Sequence, residues 1–362
     1  MDVDNITYDP SDLEINEKTI GSGTFGEVYL AKSKTDGHQY ALKYLRVFDA
    51  SFQTQFFRES LIMNTLNYPA IVKFHGINIQ DSDDPNIFRP SILTEYVPNG
   101  SLKSTIKKWK STKPAAYWTP TCRYKTLLGV AYGMRYLHRN HVVHRDLKPD
   151  NILLDASYEP CICDFGTSRY ISDEETAEMT KRVGTPLYMA PELMDLDGTR
   201  YTGAVDVYSF SFIAYEVITG ESLFKDTSNL RKRIRDGIRP NLELGSISAK
   251  ARDMLEHCWD RNPEKRFSFE KICDLLSNDF SYINDEVNEA EVRDYVARLE
   301  SAQKREPFQT YPSENNQTYL KFLGSLISKI DNFTEMKTEN IFYLAFVATS
   351  CITPASWETS TS

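Results

Sequence analysis

Three glycines stand at Gly21-x-Gly23-x-x-Gly26. Opening a helix, that spacing would suit a dinucleotide. Here Glu27-Val28-Tyr29-Leu30-Ala31 continues as strand, so that arrangement fails on context. A glycine-rich strand–turn–strand can instead lay backbone N–H groups over phosphates, because no side chain blocks approach. An ordinary hairpin turn uses the same residues, and the motif alone leaves both open. Lys43 closes Ala41-Leu42-Lys43, where a lone strand lysine is by itself solvated surface. Asp164-Phe165-Gly166 is, in isolation, more often a turn than a metal site. The pair Cys161-x-Cys163 puts two thiols on one face of a strand, a conceivable metal half-site. It lacks a second pair or a nearby His, which favours buried thiols on a strand.

The elements that must position these residues are legible in the spacing. Residues 13–45 read as β: Glu14 to Ile20, Glu27 to Ala31 and Gln39 to Leu45, with Thr35-Asp36-Gly37 as a hairpin turn. From Phe52 to Leu66 the period changes to helical, with Phe56, Ser60 and Met63 in step. Ile71 to Ile79 and Ile87 to Tyr96 return to strand across a polar turn, Gln80 to Asn86. After Pro98-Asn99-Gly100 helices dominate: Cys122 to His138, Asp206 to Thr219, Lys250 to Trp259 and Ser268 to Leu276. Short strand-like pieces fall at Ile152-Leu153-Leu154 and Cys161-Ile162-Cys163. A β-rich front and an α-rich back predict an α+β chain of two lobes joined near residues 95–100, with a cleft between them. Beyond Asp285 the character shifts: Val287 to Leu299 and Tyr319 to Ile330 read as amphipathic helices, and Arg305 to Gln317 as a linker.

Composition bounds the class. The chain has 362 residues, 41% hydrophobic and 26% charged, enough for a sizeable core and incompatible with global disorder. Lys+Arg 42 against Asp+Glu 51 leaves −9, so no basic field covers the molecule and bulk nucleic-acid binding is not expected. Six cysteines in a chain this long make no disulfide scaffold. Met1-Asp2-Val3-Asp4-Asn5 is acidic and shows no signal-peptide core. The longest apolar run, Ile341 to Ile352, is about twelve residues against roughly 20 needed to span a bilayer. The expectation is a reduced, soluble, intracellular (cytoplasmic) protein with no transmembrane segment.

Along the chain stand, in order, the glycine loop, Ala41-Leu42-Lys43, Glu59 on its predicted helix, His144-Arg145-Asp146-Leu147-Lys148-Pro149-Asp150-Asn151, Asp164-Phe165-Gly166 and Ala190-Pro191-Glu192. Together they resemble a eukaryotic protein kinase, most closely the Ser/Thr kinases of the tyrosine-kinase-like group, over roughly Leu13 to Phe280. The resemblance implies the two-lobed protein kinase fold. It has a small β-rich N-lobe with one main helix (13–96) and a larger α-helical C-lobe (97–280). An N-terminal extension (1–12) precedes it, and a helical or linker extension (281–362) of unassigned role follows.

The same resemblance implies ATP and Mg²⁺ as cofactors. Ile20, Gly21, Ser22, Gly23, Thr24, Phe25 and Gly26 would cover the nucleotide, and Lys43, partnered by Glu59, would meet its α/β-phosphates. Asp146 would orient the substrate hydroxyl and accept its proton, and Lys148 would neutralise charge on the moving phosphoryl group. Asn151 and Asp164 offer the hard oxygens that Mg²⁺ takes. Val28, Ala41 and Leu153 would sandwich adenine, and the backbone of Glu95 and Val97 would read its edge. Thr94 would be the gatekeeper, with Cys163 facing the same region. Met63, Phe74, His144 and Phe165 would stack, Asp206 would hold the catalytic-loop backbone, and Arg266 would pair with Glu192.

Within the family, Lys148 in Asp146-x-Lys148 and Gly184-Thr185-Pro186 imply protein substrates with Ser/Thr rather than Tyr acceptors. Arg145 implies a phosphate on the segment Asp164 to Glu192, with Thr180, Thr176 and Ser172 as candidate acceptors. An activating kinase or trans-autophosphorylation would place it there. One departure is visible: Phe267 stands where relatives usually carry Pro. The expected activity is transfer of the ATP γ-phosphate to protein Ser/Thr hydroxyls in intracellular signalling. The alternative is a kinase-fold scaffold with little transferase activity, against which the intact Lys43, Asp146, Asn151 and Asp164 argue.

Overall fold

The computed structural model describes residues 6–23, 26–45, 50–78, 90–111, 117–170, 177–178, 186–194, 200–224, 226, 228–283 and 286–305. The chain divides into two units. Among the described residues, one takes those up to Thr65 together with 74–96; the other takes 66–73 and 97–305.

In the first unit, β1 (Leu13–Gly23), β2 (Gly26–Ser33), β3 (Gln39–Leu45), β4 (Phe74–Asn78) and β5 (Ser91–Glu95) form an antiparallel sheet in the order β1-β2-β3-β5-β4, accompanied by α1 (Ala50–Thr65). Strand alternation decides which side chains are hidden. Leu42 is fully buried in a cluster with Leu13, Ala31 and Leu93, while its neighbours Ala41 and Lys43 stay half-buried on the opposite face. β1 runs past Ile20 through the glycines because it keeps pairing with β2, Gly21 opposite Val28 and Gly23 opposite Gly26. Gly26 has a packing reason: a Cβ there would collide with the carbonyl oxygen of Tyr44 on β3.

The expected strand from Ile71 begins only at Phe74. Ile71 instead bridges to Ile162, and the Val72 N–H donates to the Ile162 carbonyl at 2.9 Å, so this stretch belongs to the second unit. The Ile87 end of the other expected strand, and the turn before it, lie outside the described residues apart from Pro90.

The second unit carries α2 (Leu102–Ser111), α3 (Pro120–Arg139), α4 (Ala204–Thr219), α5 (Leu230–Arg235), α6 (Ala249–Cys258), α7 (Phe269–Asn278) and α8 (Glu289–Arg305). Short antiparallel pairs accompany the helices: β6 (Val142–Val143) with β9 (Arg169–Tyr170), β7 (Ile152–Leu154) with β8 (Pro160–Ile162), and β10 (Ala177–Glu178) with β11 (Arg200–Tyr201). α3 starts where Thr119 accepts the Cys122 N–H and Pro120 needs no donor, and it ends in His138 and Arg139 at the negative end of the helix dipole. Leu127, Leu128, Ala131 and Met134 are all buried, but so are the polar residues that flank them, Arg123, Lys125, Thr126 and Arg135: α3 is covered nearly all round, as a central helix is. Ser248 and Ser268 cap α6 and α7. Phe267 stacks on His257 with ring centroids 4.3 Å apart, which accommodates the departure from proline.

α8 overlaps the helix predicted at Val287 to Leu299 and extends to Arg305. Its buried face, Val292, Tyr295 and Leu299, packs on the unit. The Tyr68 hydroxyl donates to the Leu299 carbonyl at 3.1 Å, and Arg298 makes a two-pronged pair with Glu159 at 2.6 and 3.0 Å. The predicted linker beyond Arg305 and the helix from Tyr319 lie outside the described residues.

Candidate active site

The hairpin β7–β8 sets the geometry of the second unit's site. Its pairing, Ile152 opposite Ile162, continues one step outward where the Cys163 N–H donates to the Asn151 carbonyl at 3.0 Å. Asn151 and Asp164 therefore leave the same end of the hairpin. Asn151 donates its amide to both the carbonyl (2.9 Å) and Oδ2 (3.2 Å) of Asp146, and Lys148 Nζ reaches that same Oδ2 at 2.5 Å. With both amide bonds made through Nδ2, Asn151 keeps Oδ1 as its oxygen donor. The side chains of Asp146 and Lys148 are 11% and 18% exposed, so the group is sheltered but reachable.

The backbone around it is strained at two non-glycine residues, Arg145 at φ +67° and Asp164 at φ +65°. Such conformations persist only where surrounding contacts over-determine them. Asp206, fully buried on α4, accepts the N–H of His144 at 2.9 Å and of Arg145 at 2.8 Å. His138 Nε2 meets the same carboxylate at 2.9 Å. Burial pushes the Asp206 carboxyl up, but the hydrogen bond and charge of His138, together with the His144 N–H, outweigh it and hold the group below the ordinary carboxylate value. Motif order points to Asp206; its partner His138 carries no spacing signal and goes unmarked in the sequence.

His144 is buried, its Nε2 3.1 Å from the Cys163 carbonyl and its Nδ1 accepting the Asp146 N–H at 3.3 Å, a pattern that needs the proton on Nε2. Its ring packs on Phe165 at 5.4 Å. Met63 and Phe74, expected in the same stack, belong to the first unit. The Arg145 guanidinium donates to the Thr167 carbonyl at 2.7 Å and to the Tyr201 hydroxyl at 3.0 Å. Arg266 grips Glu192 with two bonds, 2.6 and 2.9 Å, as expected. Leu153 is half-buried between fully buried Ile152 and Leu154, and Val97 is buried. Cys161 and Cys163 are half-buried rather than buried, because their short hairpin leaves one face partly open.

In the first unit, Lys43 Nζ lies 2.7 Å from Glu59 Oε1, joining β3 to α1, with the Glu59 side chain only 3% exposed. Val28 pairs with Lys43 across the strands, and half-buried Val28 and Ala41 share that face. Ile20 is exposed at the end of the predicted first strand, next to Gly21, where a Cβ would meet only ordinary contacts. Ser22 and Gly23 continue β1. Thr94 and Glu95 end β5, the Thr94 hydroxyl donating to the Ala41 carbonyl at 3.4 Å. Thr24, Phe25, Ser172, Thr176, Thr180, Gly184 and Thr185 lie outside the described residues.

The protein kinase domain model matches residues 15–276. The chain belongs to the protein kinase family. Members transfer the γ-phosphate of ATP with Mg²⁺. A probable serine/threonine-protein kinase of Dictyostelium discoideum is 35% identical over 277 residues, 74% of this chain and 28% of its own length. Serine/threonine-protein kinase CTR1 of Arabidopsis thaliana is 34% identical over 287 residues, 76% of this chain and 32% of that protein, in keeping with the tyrosine-kinase-like group. Aurora kinase of Schizosaccharomyces pombe is 30% identical over 259 residues, covering 70% and 68%. The chain thus spans about a third or less of the length of these Dictyostelium and Arabidopsis relatives. Among its described residues no helix is long and apolar enough to cross a membrane.

Proposed function

We propose that the protein is a Mg²⁺·ATP-dependent serine/threonine kinase whose catalytic base is Asp146. The observation that carries this reading is the shared Oδ2 of Asp146, met by Lys148 and Asn151 at 2.5 and 3.2 Å. Bound Mg²⁺·ATP supplies the phosphoryl group and neutralises its charge. The donor set fits it: Asn151 Oδ1 and the Asp164 carboxylate are hard oxygens for Mg²⁺, and Lys43, oriented by Glu59, is the cation for the α/β-phosphates. Ile20 and residues Gly21 to Gly26 cover the nucleotide. Val28, Ala41 and Leu153 flank adenine, the backbone of Glu95 and Val97 reads it, and Thr94 is the gatekeeper.

Asp146 orients an incoming hydroxyl and takes its proton late in transfer. Lys148, already beside Asp146, follows the charge onto the moving group. A scaffold that does not turn over would need neither arrangement. The kinase domain spans 13–280, with 281–362 as an extension whose α8 is docked on it. We assign the protein to the cytoplasm, supported by the thiols of Cys122, Cys258 and Cys273, which form no disulfide.

Activation by a phosphate at Thr180 or Thr176, added by another kinase or in trans, is part of the same proposal; Arg145 is the residue to receive it. A Thr180→Ala enzyme with full activity would count against Thr180. Two relatives are dual specificity protein kinases, so the acceptor is tested directly. A peptide array labelled from γ-labelled ATP, followed by phosphoamino-acid analysis, should give phosphoserine and phosphothreonine. Predominant phosphotyrosine would overturn the acceptor class, and label no greater than with Asp146→Ala would favour the scaffold.

A further inference from the structure

β4 and β5 fall out of step at His75. Phe74 pairs with Thr94 and Gly76 with Leu93, so His75 is the extra residue of a β-bulge. A bulge re-aims its side chain out of the strand's alternation. Gly76, at φ +152°, absorbs the distortion, and a Cβ there would also press on the Ile6 carbonyl at 2.7 Å. The re-aimed imidazole puts Nε2 2.7 Å from Oε2 of Glu95, the last residue of β5. The second oxygen of that carboxylate, Oε1, lies 2.8 Å from Nε2 of His38. His38 sits at the mouth of the β2–β3 hairpin, its carbonyl accepting the Ser33 N–H at 2.8 Å. Tyr40, paired with Glu95 across the sheet, packs edge-on against both imidazoles at 4.7 and 4.9 Å. Three donor atoms from three separate strand ends thus lie within 4.8 Å of one another.

We propose that His38, His75 and Glu95 form a binding site for a transition-metal dication of the Zn²⁺ type on the kinase's N-terminal sheet. Two imidazoles and one carboxylate are a set that Zn²⁺ accepts, with water as fourth ligand. Mg²⁺ prefers oxygen donors throughout and is a poor match, so the site does not duplicate the one proposed at Asn151 and Asp164. Tetrahedral bonds of about 2.0–2.1 Å place ligand atoms roughly 3.3 Å apart. The change asked of the three side chains is small, since the atoms start within 4.8 Å and their backbones are tied by the hairpin, the bulge and the Tyr40–Glu95 pairing. His38 and Glu95 are 44% and 33% exposed, which leaves the ion a route in and room for water. In the metal-free protein the imidazoles hydrogen-bond the carboxylate, and the ion replaces those bonds, releasing any proton bound to the nitrogens it takes.

The test uses the full chain, stripped of metal and titrated with Co²⁺ and then Zn²⁺, beside His38→Gln and His75→Gln. The wild type should take up one equivalent of Co²⁺ with the visible absorption of a tetrahedral nitrogen–oxygen site. Zn²⁺ should displace it and raise the unfolding temperature, and excess Mg²⁺ should leave the spectrum unchanged. Each variant should bind at least ~10- to 100-fold more weakly, while the metal-free variants unfold near the wild-type temperature. His38 is exposed, so His38→Gln carries the test if His75→Gln fails to fold. No stoichiometric uptake, displacement by Mg²⁺, a thiolate-to-cobalt charge-transfer band, or undiminished binding by His38→Gln would each overturn the site. None of these readouts depends on phosphotransfer.

Discussion

The buried carboxylate of Asp206 accepts the backbone N–H of Arg145 at 2.8 Å, and Arg145 is held there at φ +67°. The bond fixes the residue just before the proposed base. Asp206→Ala leaves that N–H and the His144 N–H without their acceptor in a dry interior. It should cost about 3–5 kcal/mol of stability, with a parallel fall in kcat, as read by urea denaturation and steady-state assay.

The same group makes a pH prediction. Its folded value lies below the ordinary one, the upward push of burial being outweighed by His138 and the His144 N–H. Its stabilising contribution is therefore complete above the unfolded value near pH ~4 and is lost as pH falls through the lower folded value. The urea midpoint of wild type should drop across that acid range, and that of Asp206→Asn should drop less steeply. Parallel curves would remove Asp206 from the account.

Lys43 and Glu59 should not be equivalent. Glu59 is 3% exposed and Lys43 19%. Lys43→Ala strands a buried carboxylate and should cost roughly 3 kcal/mol, whereas Glu59→Gln keeps a neutral partner and should cost about 1 kcal/mol. Thermal unfolding checks the order. Both variants should raise the KM for ATP or lower kcat.

α8 lies beyond the region matched by the family, yet it behaves as core. Tyr295 is 2% exposed and Leu299 fully buried. Tyr295→Ala should destabilise the protein by about 3–5 kcal/mol. A loss under about 1 kcal/mol in chemical denaturation would mean that the helix is dispensable to the fold.

Much of this architecture is legible in the sequence. The helices from Cys122 and Ser268 declare themselves because their apolar residues repeat every third or fourth position for several turns. α5 does not: Leu230–Arg235 is six residues long with four of them basic, too short for a period to register. The two-residue strands β6 and β9 have no alternation to read, since their pairing of Val142 with Tyr170 is set by the fold around them. Ile71 reads as strand in the first sheet and pairs with Ile162 instead, a choice made by tertiary contacts. The site residues follow from motif order, which carries Lys43, Asp146, Asn151 and Asp164 directly. His138 beside Asp206, and the convergence of His38, His75 and Glu95, depend on packing and on a bulge, and neither leaves a mark in linear spacing.

The most direct test of the account is phosphotransfer by wild type and Asp146→Asn, assayed at saturating Mg²⁺·ATP on a peptide chosen from the array, with folding verified by unfolding temperature. Removal of the base should lower kcat by ~10²–10⁴-fold with little change in the KM for ATP. Equal rates from two equally folded enzymes would contradict the assignment of Asp146, and with it the mechanism.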